Sequence, residues 1–282
     1  MKKVAILGLG LIGGSAGLDL KSRGFASEII GVGRTPKNIA KALELGLADR
    51  MVTKEVAVQE ADIIILSVPV NILIDELKFV LDHIRPDAVV TDMGSTKSKM
   101  VEAVKDHPMR KRYVPSHPMA GTEFSGPTAA FSGLFDDKVA IICDKNDSDE
   151  DAVSTIEELY NTLNMRLLYM ESVAHDLHAA YVSHVSHITS FVLGATVLDK
   201  EKSEKAILSM ASGGFESTVR LAKSSPEMWS QIFEQNSENI VEVLDTYIDK
   251  MTTFKEKIKE GDFEYLKKFM ADANDIKRIL KQ

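Results

Sequence analysis

One histidine lies in a short segment whose residue types suit proton transfer. Pro115 and Pro118 flank His117 and restrict its backbone, while Gly121 and Gly126 follow and permit turns. An imidazole has an ordinary pKa of about 6.5, so it needs little tuning to accept a hydroxyl proton near neutral pH. A lone loop histidine is more often a surface residue than a base, so its role depends on its neighbours.

A serine follows a buried apolar run in the segment 91–97, Thr-Asp-Met-Gly-Ser-Thr-Lys. Residues 88–92 predict a strand, and Gly94 permits a tight bend after it. Ser95 is expected to begin a helix, with its hydroxyl facing the crevice at the carboxyl edge of the sheet. Two interpretations stay open, a catalytic hydroxyl beside His117 and a simple helix N-cap.

Further along the chain, a few polar residues are candidates for substrate binding. Arg220 can hold a carboxylate in a bidentate fork, although a lone arginine is more often a surface charge. Thr122 and Glu123 are candidate orienting partners for His117. His184 and His187 share a helix face, but without HExxH or a cysteine cluster we expect no metal there. The remaining histidines are expected to be structural or exposed: His83, His107, His175 and His178.

A glycine loop near the amino terminus predicts dinucleotide binding. Residues 8–13, Gly-Leu-Gly-Leu-Ile-Gly, follow a predicted strand and open a helix. Gly8 suits the tight turn, Gly10 permits close approach of a pyrophosphate, and Gly13 permits close helix packing. Leu11 and Ile12 begin the helix and are expected to touch the cofactor. The alternative is a purely structural glycine-rich turn.

The end of the second strand bears on the choice of cofactor. A carboxylate is expected there if the cofactor is NAD, whereas this chain has Arg34 and Thr35. Arg34 can pair with a 2′-phosphate and Thr35 can add a hydroxyl, which predicts a roughly tenfold to hundredfold preference for NADP over NAD. The alternative is that Arg34 stacks on adenine or is solvated. Three residues after the next long strand are also expected to line the cofactor: Ser67, Val68 and Pro69.

Strands alternate with helices up to about residue 171, after which only helical periodicity remains. The fold class is therefore α/β, a Rossmann-type, doubly wound, mostly parallel sheet followed by an all-helical domain. We place the domains at 1–171 and 172–282. So many apolar helical faces favour a homodimer, with a self-contained bundle as the alternative. Two helices with apolar stripes are predicted at the end of the chain, separated by Gly261 and a candidate N-cap, Asp262. The first stripe is Ile240, Val243, Leu244, Tyr247, Ile248 and Met251, and the second is Leu266, Phe269, Met270, Ala273, Ile276 and Leu280.

Composition limits the classes of function. With 34 basic and 42 acidic residues among 282, the net charge is −8, which disfavours nucleic-acid binding. Cys143, the only cysteine, lies in an apolar run and is expected to be buried in a strand. No uninterrupted apolar run approaches the roughly 18 residues of a membrane helix, and no signal peptide is expected at the amino terminus. The cytoplasm is the expected location.

Four motifs in this order resemble the prephenate dehydrogenase family, including its arogenate-using members. They are Gly-Leu-Gly-Leu-Ile-Gly-Gly-Ser at 8–15, Asp-Met-Gly-Ser-Thr-Lys at 92–97, His-Pro-Met-Ala-Gly-Thr-Glu at 117–123 and Ser-Gly-Gly-Phe at 212–215. The resemblance implies a Rossmann domain, a helical dimerisation domain, and oxidative decarboxylation of prephenate to 4-hydroxyphenylpyruvate with NAD(P).

The resemblance also implies residue roles. His117 would accept the proton of the ring hydroxyl, Ser95 would orient that hydroxyl and the nicotinamide, and Arg220 would bind a substrate carboxylate. The other pocket residues would be Thr122, Glu123, His187 and Trp229. We expect no added regulatory or chorismate mutase module after the helical domain, so tyrosine feedback, if present, would act at the active site or dimer interface.

Three alternatives stay open. Arogenate dehydrogenation would give tyrosine directly. A β-hydroxyacid dehydrogenase would normally use a helical-domain lysine as its acid and base, whereas this chain has histidines at the motif positions. A nonenzymatic NADP-binding sensor or scaffold would leave the set of Ser95, His117 and Arg220 without a role.

Overall fold

Six parallel strands form the central sheet of the computed structural model, in the order β3-β2-β1-β4-β5-β6. Val4 and Ile6 pack into one core and Ala5 and Leu7 into the other, so both faces of the sheet are covered. Burial on both faces explains why the strands are nearly continuous apolar runs. The strands are β1 (Lys2–Leu7), β2 (Ala26–Val32), β3 (Arg50–Met51), β4 (Ile63–Leu66), β5 (Val89–Asp92) and β6 (Tyr113–Val114).

Helices connect these strands. The strand order is that of dinucleotide-binding Rossmann sheets, in which ligands lie beyond the carboxyl ends of the strands. This confirms the predicted parallel sheet. The connecting helices are α1 (Leu11–Ser22), α2 (Pro36–Glu44), α3 (Lys54–Glu60), α4 (Val70–His83) and α5 (Ser98–Val104). Because α5 begins at Ser98, the expectation that Ser95 begins this helix, or caps it, is wrong; Ser95 lies in the loop before it.

A second, three-stranded sheet holds His117. Its order is β7-β8-β9, with β7 (Ser116–Pro118) antiparallel to β8 (Val139–Cys143) and β8 parallel to β9 (Arg166–Met170). His117 pairs with Ile141, so its expected place in a loop is wrong. The apolar β8 needs a partner on its open side, and the flanking prolines are tolerated because β7 is an edge strand. Cys143 is buried in β8, as predicted. Helix α6 (Glu150–Thr162) precedes β9.

The rest of the described chain is helical, as predicted. Its α-helices are α7 (Ser172–Ala179), α8 (Val185–Glu201), α9 (Gly213–Val219), α10 (Pro226–Gln235), α11 (Ser237–Glu260) and α12 (Phe263–Ala273), and a π-helical turn, Ala180–His184, joins α7 to α8. Two compact units result, Met1–Ser237 and a second that starts at Glu238. The domain boundary at residue 171 stays a prediction. Asp262 caps α12 by accepting from the Tyr265 amide at 3.1 Å, as expected.

The structure describes residues 1–278, so Leu280 of the last predicted stripe lies outside the described residues. The run Ser172–Glu201 is the one described helix long and apolar enough to cross a membrane by length and composition, although no apolar run of that length was expected. Only 11% of its most apolar window is buried within the chain. Polar residues of the same run, among them His175, Asp176 and His184, are nonetheless buried.

Candidate active site

The glycine loop between β1 and α1 has the geometry of a phosphate cradle. Gly8 has φ +97°, and a Cβ there would lie 2.3 Å from the Ser67 carbonyl oxygen. A Cβ on Gly13 would lie 2.1 Å from the Gly8 oxygen, whereas one on Gly10 would meet nothing within 4 Å. Gly10 also precedes Leu11, the first residue of α1, with no side chain capping the helix amides. The residues therefore fit a pyrophosphate at the helix N-terminus.

The other candidate cofactor residues follow β2 and β4. Ser67 and Val68 pack against Gly8, which places the end of β4 beside the glycine loop. Pro69 precedes α4 as its N-cap residue. Arg34 and Thr35 follow β2, where both side chains are exposed. The Thr35 hydroxyl accepts from the Asn38 amide at 3.4 Å, which leaves its own proton free to donate.

A buried carboxylate ties the Ser95 loop to the strand that carries His117. Asp92, at the end of β5, accepts from the fully buried Lys97 ammonium and from the Gly94 amide at 2.8 Å. It also accepts from the Tyr113 hydroxyl at 2.7 Å and the Ser116 amide at 3.3 Å. Burial, and then Asp92, raise the pKa of Tyr113. This network fixes the start of β7 at the carboxyl edge of the sheet.

His117 is half-buried and bonded on one ring nitrogen. Its Nδ1 lies 2.9 Å from Nε2 of His175, whose Nδ1 lies 2.8 Å from Oδ1 of Asp176. Asp176 in turn accepts from the backbone amides of Lys97 and Ser98, each at 2.8 Å. Burial lowers the pKa of His117 well below its ordinary value, and the charges of its neighbours lower it further. His117 is therefore neutral at neutral pH and able to accept a proton.

A cluster of rings continues from this network on the helical side. Asn236 donates to the Asp176 carbonyl at 2.7 Å and lies 3.1 Å from Nδ1 of His184. Burial lowers the pKa of His184 to about 4 and also lowers that of His187. Trp229 contacts both imidazoles, stacking on His187 at 3.5 Å between ring centroids. The buried indole N–H has no partner among the described residues, so it is available to a ligand.

The candidate carboxylate clamp lies beside the segment that follows β7. A guanidinium nitrogen of Arg220 is 3.9 Å from the Glu123 carboxylate, and the arginine side chain is 55% exposed. The charge of Arg220 also lowers the pKa of His187, after burial, which places it near the ring cluster. Thr122 is exposed and accepts from the Phe124 amide at 3.2 Å. Arg220, Glu123, His187 and Trp229 therefore form one group.

Comparison with known proteins identifies the family. Residues 16–169 match the family model described as prephenate dehydrogenase, nucleotide-binding domain, and residues 171–272 match prephenate dehydrogenase, dimerization domain. The chain belongs to the prephenate dehydrogenase family. This membership confirms the predicted NAD(P)-dependent oxidoreductase, and the β-hydroxyacid dehydrogenase and the nonenzymatic sensor are set aside.

Individual members of the family agree over nearly the whole chain. The prephenate dehydrogenase of Bacillus subtilis is 31% identical over 96% of this chain and 74% of its own length. The structure of prephenate dehydrogenase from A. aeolicus in complex with hydroxyphenyl propionate and NAD+ has TM-score 0.90 and 31% identity, covering 100% of this chain and 99% of that one. The Synechocystis arogenate dehydrogenase structure has TM-score 0.80 and 26% identity, covering 98% and 99%.

Three residues of the candidate site were not among the candidates from the sequence. His175 is buried and bonded to His117, so it is not solvent-exposed, and Asp176 and Asn236 had no assigned role. Their contacts join elements up to 79 residues apart in the chain, between Lys97 and Asp176. The only local signal is a histidine next to an aspartate early in a helix, and helix geometry alone does not direct both toward one partner.

Proposed function

We propose that the chain catalyses the oxidative decarboxylation of prephenate to 4-hydroxyphenylpyruvate. The observation that carries the proposal is the placement of His117, a neutral, half-buried imidazole bonded on Nδ1 and fixed at the carboxyl edge beyond β5. The other ring nitrogen makes no hydrogen bond within the described residues, so it can face a substrate hydroxyl. Ser95 lies two residues before Lys97, whose amide binds the same network, and its hydroxyl is likewise without a partner among the described residues.

The chemistry needs one base and good alignment. His117 accepts the proton of the ring hydroxyl, and Ser95 orients that hydroxyl. A dinucleotide whose pyrophosphate lay at the glycine loop would supply, in its nicotinamide, the acceptor for the hydride from the ring carbon that carries the hydroxyl. The ring carboxylate leaves as carbon dioxide, its bonding electrons complete an aromatic ring, and the proton held by His117 returns to the ring oxygen to give the phenol. Aromatisation makes the step effectively irreversible.

The substrate side chain has a matching pocket. Arg220 is mostly exposed, and among the described residues only a 3.9 Å ion pair with Glu123 engages it, so its guanidinium can hold a substrate carboxylate. Trp229 offers the unpartnered indole N–H beside His187. We assign Arg220, Glu123, His187 and Trp229 to this pocket, with Thr122 at its exposed rim. This assignment remains part of the proposal.

For the cofactor, we propose that NADP is favoured over NAD. Arg34 follows β2 with an exposed side chain and no ion pair among the described residues, and Thr35 retains a hydroxyl proton. Both follow β2, at whose end the 2′-phosphate of NADP would lie in this fold. A charge-assisted hydrogen bond of about 1.5–3 kcal/mol corresponds to a roughly tenfold to hundredfold preference. Gly8, Gly10, Leu11, Ile12 and Gly13 bind the pyrophosphate, and Ser67, Val68, Pro69 and Ser95 line the rest of the cofactor site.

The replacement Arg34→Gln tests the cofactor preference. We expect it to lower kcat/KM for NADP about tenfold or more while changing the value for NAD less than threefold, because only NADP carries the 2′-phosphate. Lys37→Gln is the matched control, since it removes an exposed cation from the start of the next helix. Comparable values of kcat/KM for NADP and NAD in the wild type would contradict the proposed preference for NADP.

Arogenate is the second candidate substrate, favoured by the likeness to the Synechocystis arogenate dehydrogenase structure. Prephenate and arogenate differ by a keto or an amino group on the side chain. The deciding assay crosses both substrates with NAD and NADP and follows the absorbance of the reduced nicotinamide. We expect the highest kcat/KM for prephenate with NADP, and a higher value for arogenate would reassign the substrate.

The same proposal extends to assembly and location. A match to a dimerization domain over residues 171–272 and the poorly buried run Ser172–Glu201 support a homodimer. A partner chain on this run accounts for its apolar character without a membrane. With a net charge of −8 we expect no nucleic-acid partner, and we place the enzyme in the cytoplasm.

A further inference from the structure

A buried histidine and aspartate lie directly behind His117. The exposed fractions of His175 and Asp176 are 1% and 2%. His175 Nε2 is 2.9 Å from Nδ1 of His117, and His175 Nδ1 is 2.8 Å from the Asp176 carboxylate. The three side chains therefore form one hydrogen-bonded line that ends at the candidate base.

Backbone amides at the start of α5 help to keep the Asp176 carboxyl ionised. The Asp176 carboxylate accepts from the amides of Lys97 and Ser98, each at 2.8 Å. Burial opposes its ionisation, yet the hydrogen bonds from His175 and Ser98 keep the pKa of Asp176 below its ordinary value. An ionised carboxylate only accepts hydrogen bonds, so His175 must donate to it from Nδ1.

The hydrogen bond from His175 to Asp176 also determines which ring nitrogen of His117 carries the proton. A neutral His175 that donates from Nδ1 can only accept at Nε2, so His117 must donate its Nδ1 proton. The lone pair of His117 is then on Nε2, the nitrogen without a hydrogen bond in the described residues. Without this line, either nitrogen of His117 could carry the proton.

We propose that His175 and Asp176 are positioning residues that hold His117 in the tautomer with Nε2 as the base and stabilise the imidazolium it becomes. The inference rests on the proposed function, because it assigns the line to the proton-transfer step. The substrate hydroxyl proton moves to Nε2, the Nδ1 proton stays between the two histidines, and the new positive charge lies two hydrogen bonds from the carboxylate.

The other charged groups around His117 make this carboxylate necessary. Beyond the effect of burial, His175, then the Lys97 ammonium of the Ser95 loop and then His184 of the π-helical turn disfavour a positive charge on His117. Asp92 is bonded directly to Lys97 and offsets that ammonium. Asp176 is the carboxylate that the hydrogen-bonded line connects to His117.

Two substitutions at His175 test the line without disturbing the bonds between Asp176 and α5. Gln keeps an acceptor for the Nδ1 proton of His117, whereas Ala removes it. With prephenate and NAD(P), we expect His175→Ala to lower kcat roughly 100-fold and His175→Gln roughly tenfold, with KM changed less than threefold. His178→Gln is the matched control, because His178 is exposed on the same helix, and wild-type kinetics are expected. Equal losses in both His175 variants would contradict the tautomer role.

The pH profile of Asp176→Asn distinguishes the positioning role from a purely structural one, because a purely structural role of Asp176 would leave the pKa of His117 unchanged. Loss of the counter-charge lowers the pKa of His117, so the acid limb of kcat/KM should move to lower pH. In a His117→Asn background, Asp176→Asn should reduce the residual rate no further, because both act on one step. An unmoved acid limb, or an additive loss in the double variant, would assign the pair to a purely structural role.

The same data separate this inference from the proposed function. If the wild type reduces no cofactor with prephenate or arogenate, or if His117→Asn keeps the full rate, the proposed function fails. If His117→Asn is inactive while His175→Ala keeps wild-type kcat, only the positioning role is overturned.

Discussion

The surroundings of His117 make it a weak base, and its position suits the proposed role of accepting a substrate proton. Burial and nearby positive groups lower its pKa, so the imidazole is neutral in the physiological range. A neutral imidazole is the form that can accept a proton, and hydride removal weakens the substrate O–H bond as the proton leaves. A low pKa therefore broadens the pH range of activity at the cost of basicity.

The pH dependence of kcat/KM for prephenate follows from this pKa. Because the pKa of His117 is lowered, its neutral form persists above an acid limb whose midpoint lies below the ordinary value of about 6.5. We expect a flat profile from about pH 6.5 to pH 8 and a fall below it as His117 protonates. Steady-state rates in constant-ionic-strength buffers measure this, and a midpoint at or above about pH 6.5 would contradict the environment described for His117.

Residue type and order were enough to nominate His117 as the candidate base, but they could not predict its contacts with distant segments of the chain. His117, Ser95 and Arg220 stand in motifs that can be read locally. The bond between His117 and His175 joins residues 58 apart in the chain, so it depends on how α7 packs against α5. No local pattern encodes that packing, which is why His175 was expected to be structural or exposed.

At the scale of elements, Gly8, Gly10 and Gly13 of the glycine loop have different surroundings. Gly8 and Gly13 are held so closely by neighbouring backbone that any side chain would collide. Gly10 faces open space at the start of α1. The fold therefore requires glycine at the first two positions, whereas at Gly10 the packing does not, and the open space is the place where we expect the pyrophosphate.

Two alanine substitutions test this difference. Gly10→Ala should leave the free energy of unfolding nearly unchanged and raise the Kd for the dinucleotide about tenfold or more, because the methyl group fills the ligand's space. Gly13→Ala should lower the free energy of unfolding by about 1–3 kcal/mol, because its methyl group collides with the loop backbone. Urea unfolding and cofactor titration measure both, and a destabilised Gly10→Ala with normal affinity would reverse the assignment.

The elements themselves were predictable where periodicity is strong. β4 and β5 are apolar runs bounded by polar residues, and they form at the expected places. The errors lie at short elements: β7 is a three-residue strand recruited by pairing with β8, and α5 starts three residues after Ser95. Such boundaries are decided by tertiary pairing rather than by local propensity.

At the scale of the whole molecule, apolar side chains remain exposed on the helical run from α7 to α8. The exposed fractions of Val182, Val192 and Leu198 are 69%, 59% and 56%. Exposed apolar surface of this kind marks an interaction site. Together with the family's dimerization domain, it indicates a surface shared by two chains.

A charge placed in this surface should disrupt the dimer. We expect the wild type to have twice the chain mass in light scattering, and Val192→Glu to shift it toward the monomer because a buried unpaired carboxylate is costly. Val56→Glu, on α3 of the sheet domain, is the matched control and should remain dimeric. A monomeric wild type would favour the self-contained helical bundle.

The most direct test of the central claim is the replacement His117→Asn, assayed by reduced-nicotinamide absorbance with prephenate. We predict that the wild type forms reduced cofactor and that the variant's kcat falls about 10²- to 10⁴-fold, because the base is lost. Cofactor affinity, measured by fluorescence titration, should stay within threefold of wild type, since His117 does not hold the dinucleotide. A variant that keeps wild-type turnover would contradict the assignment of His117 as the base.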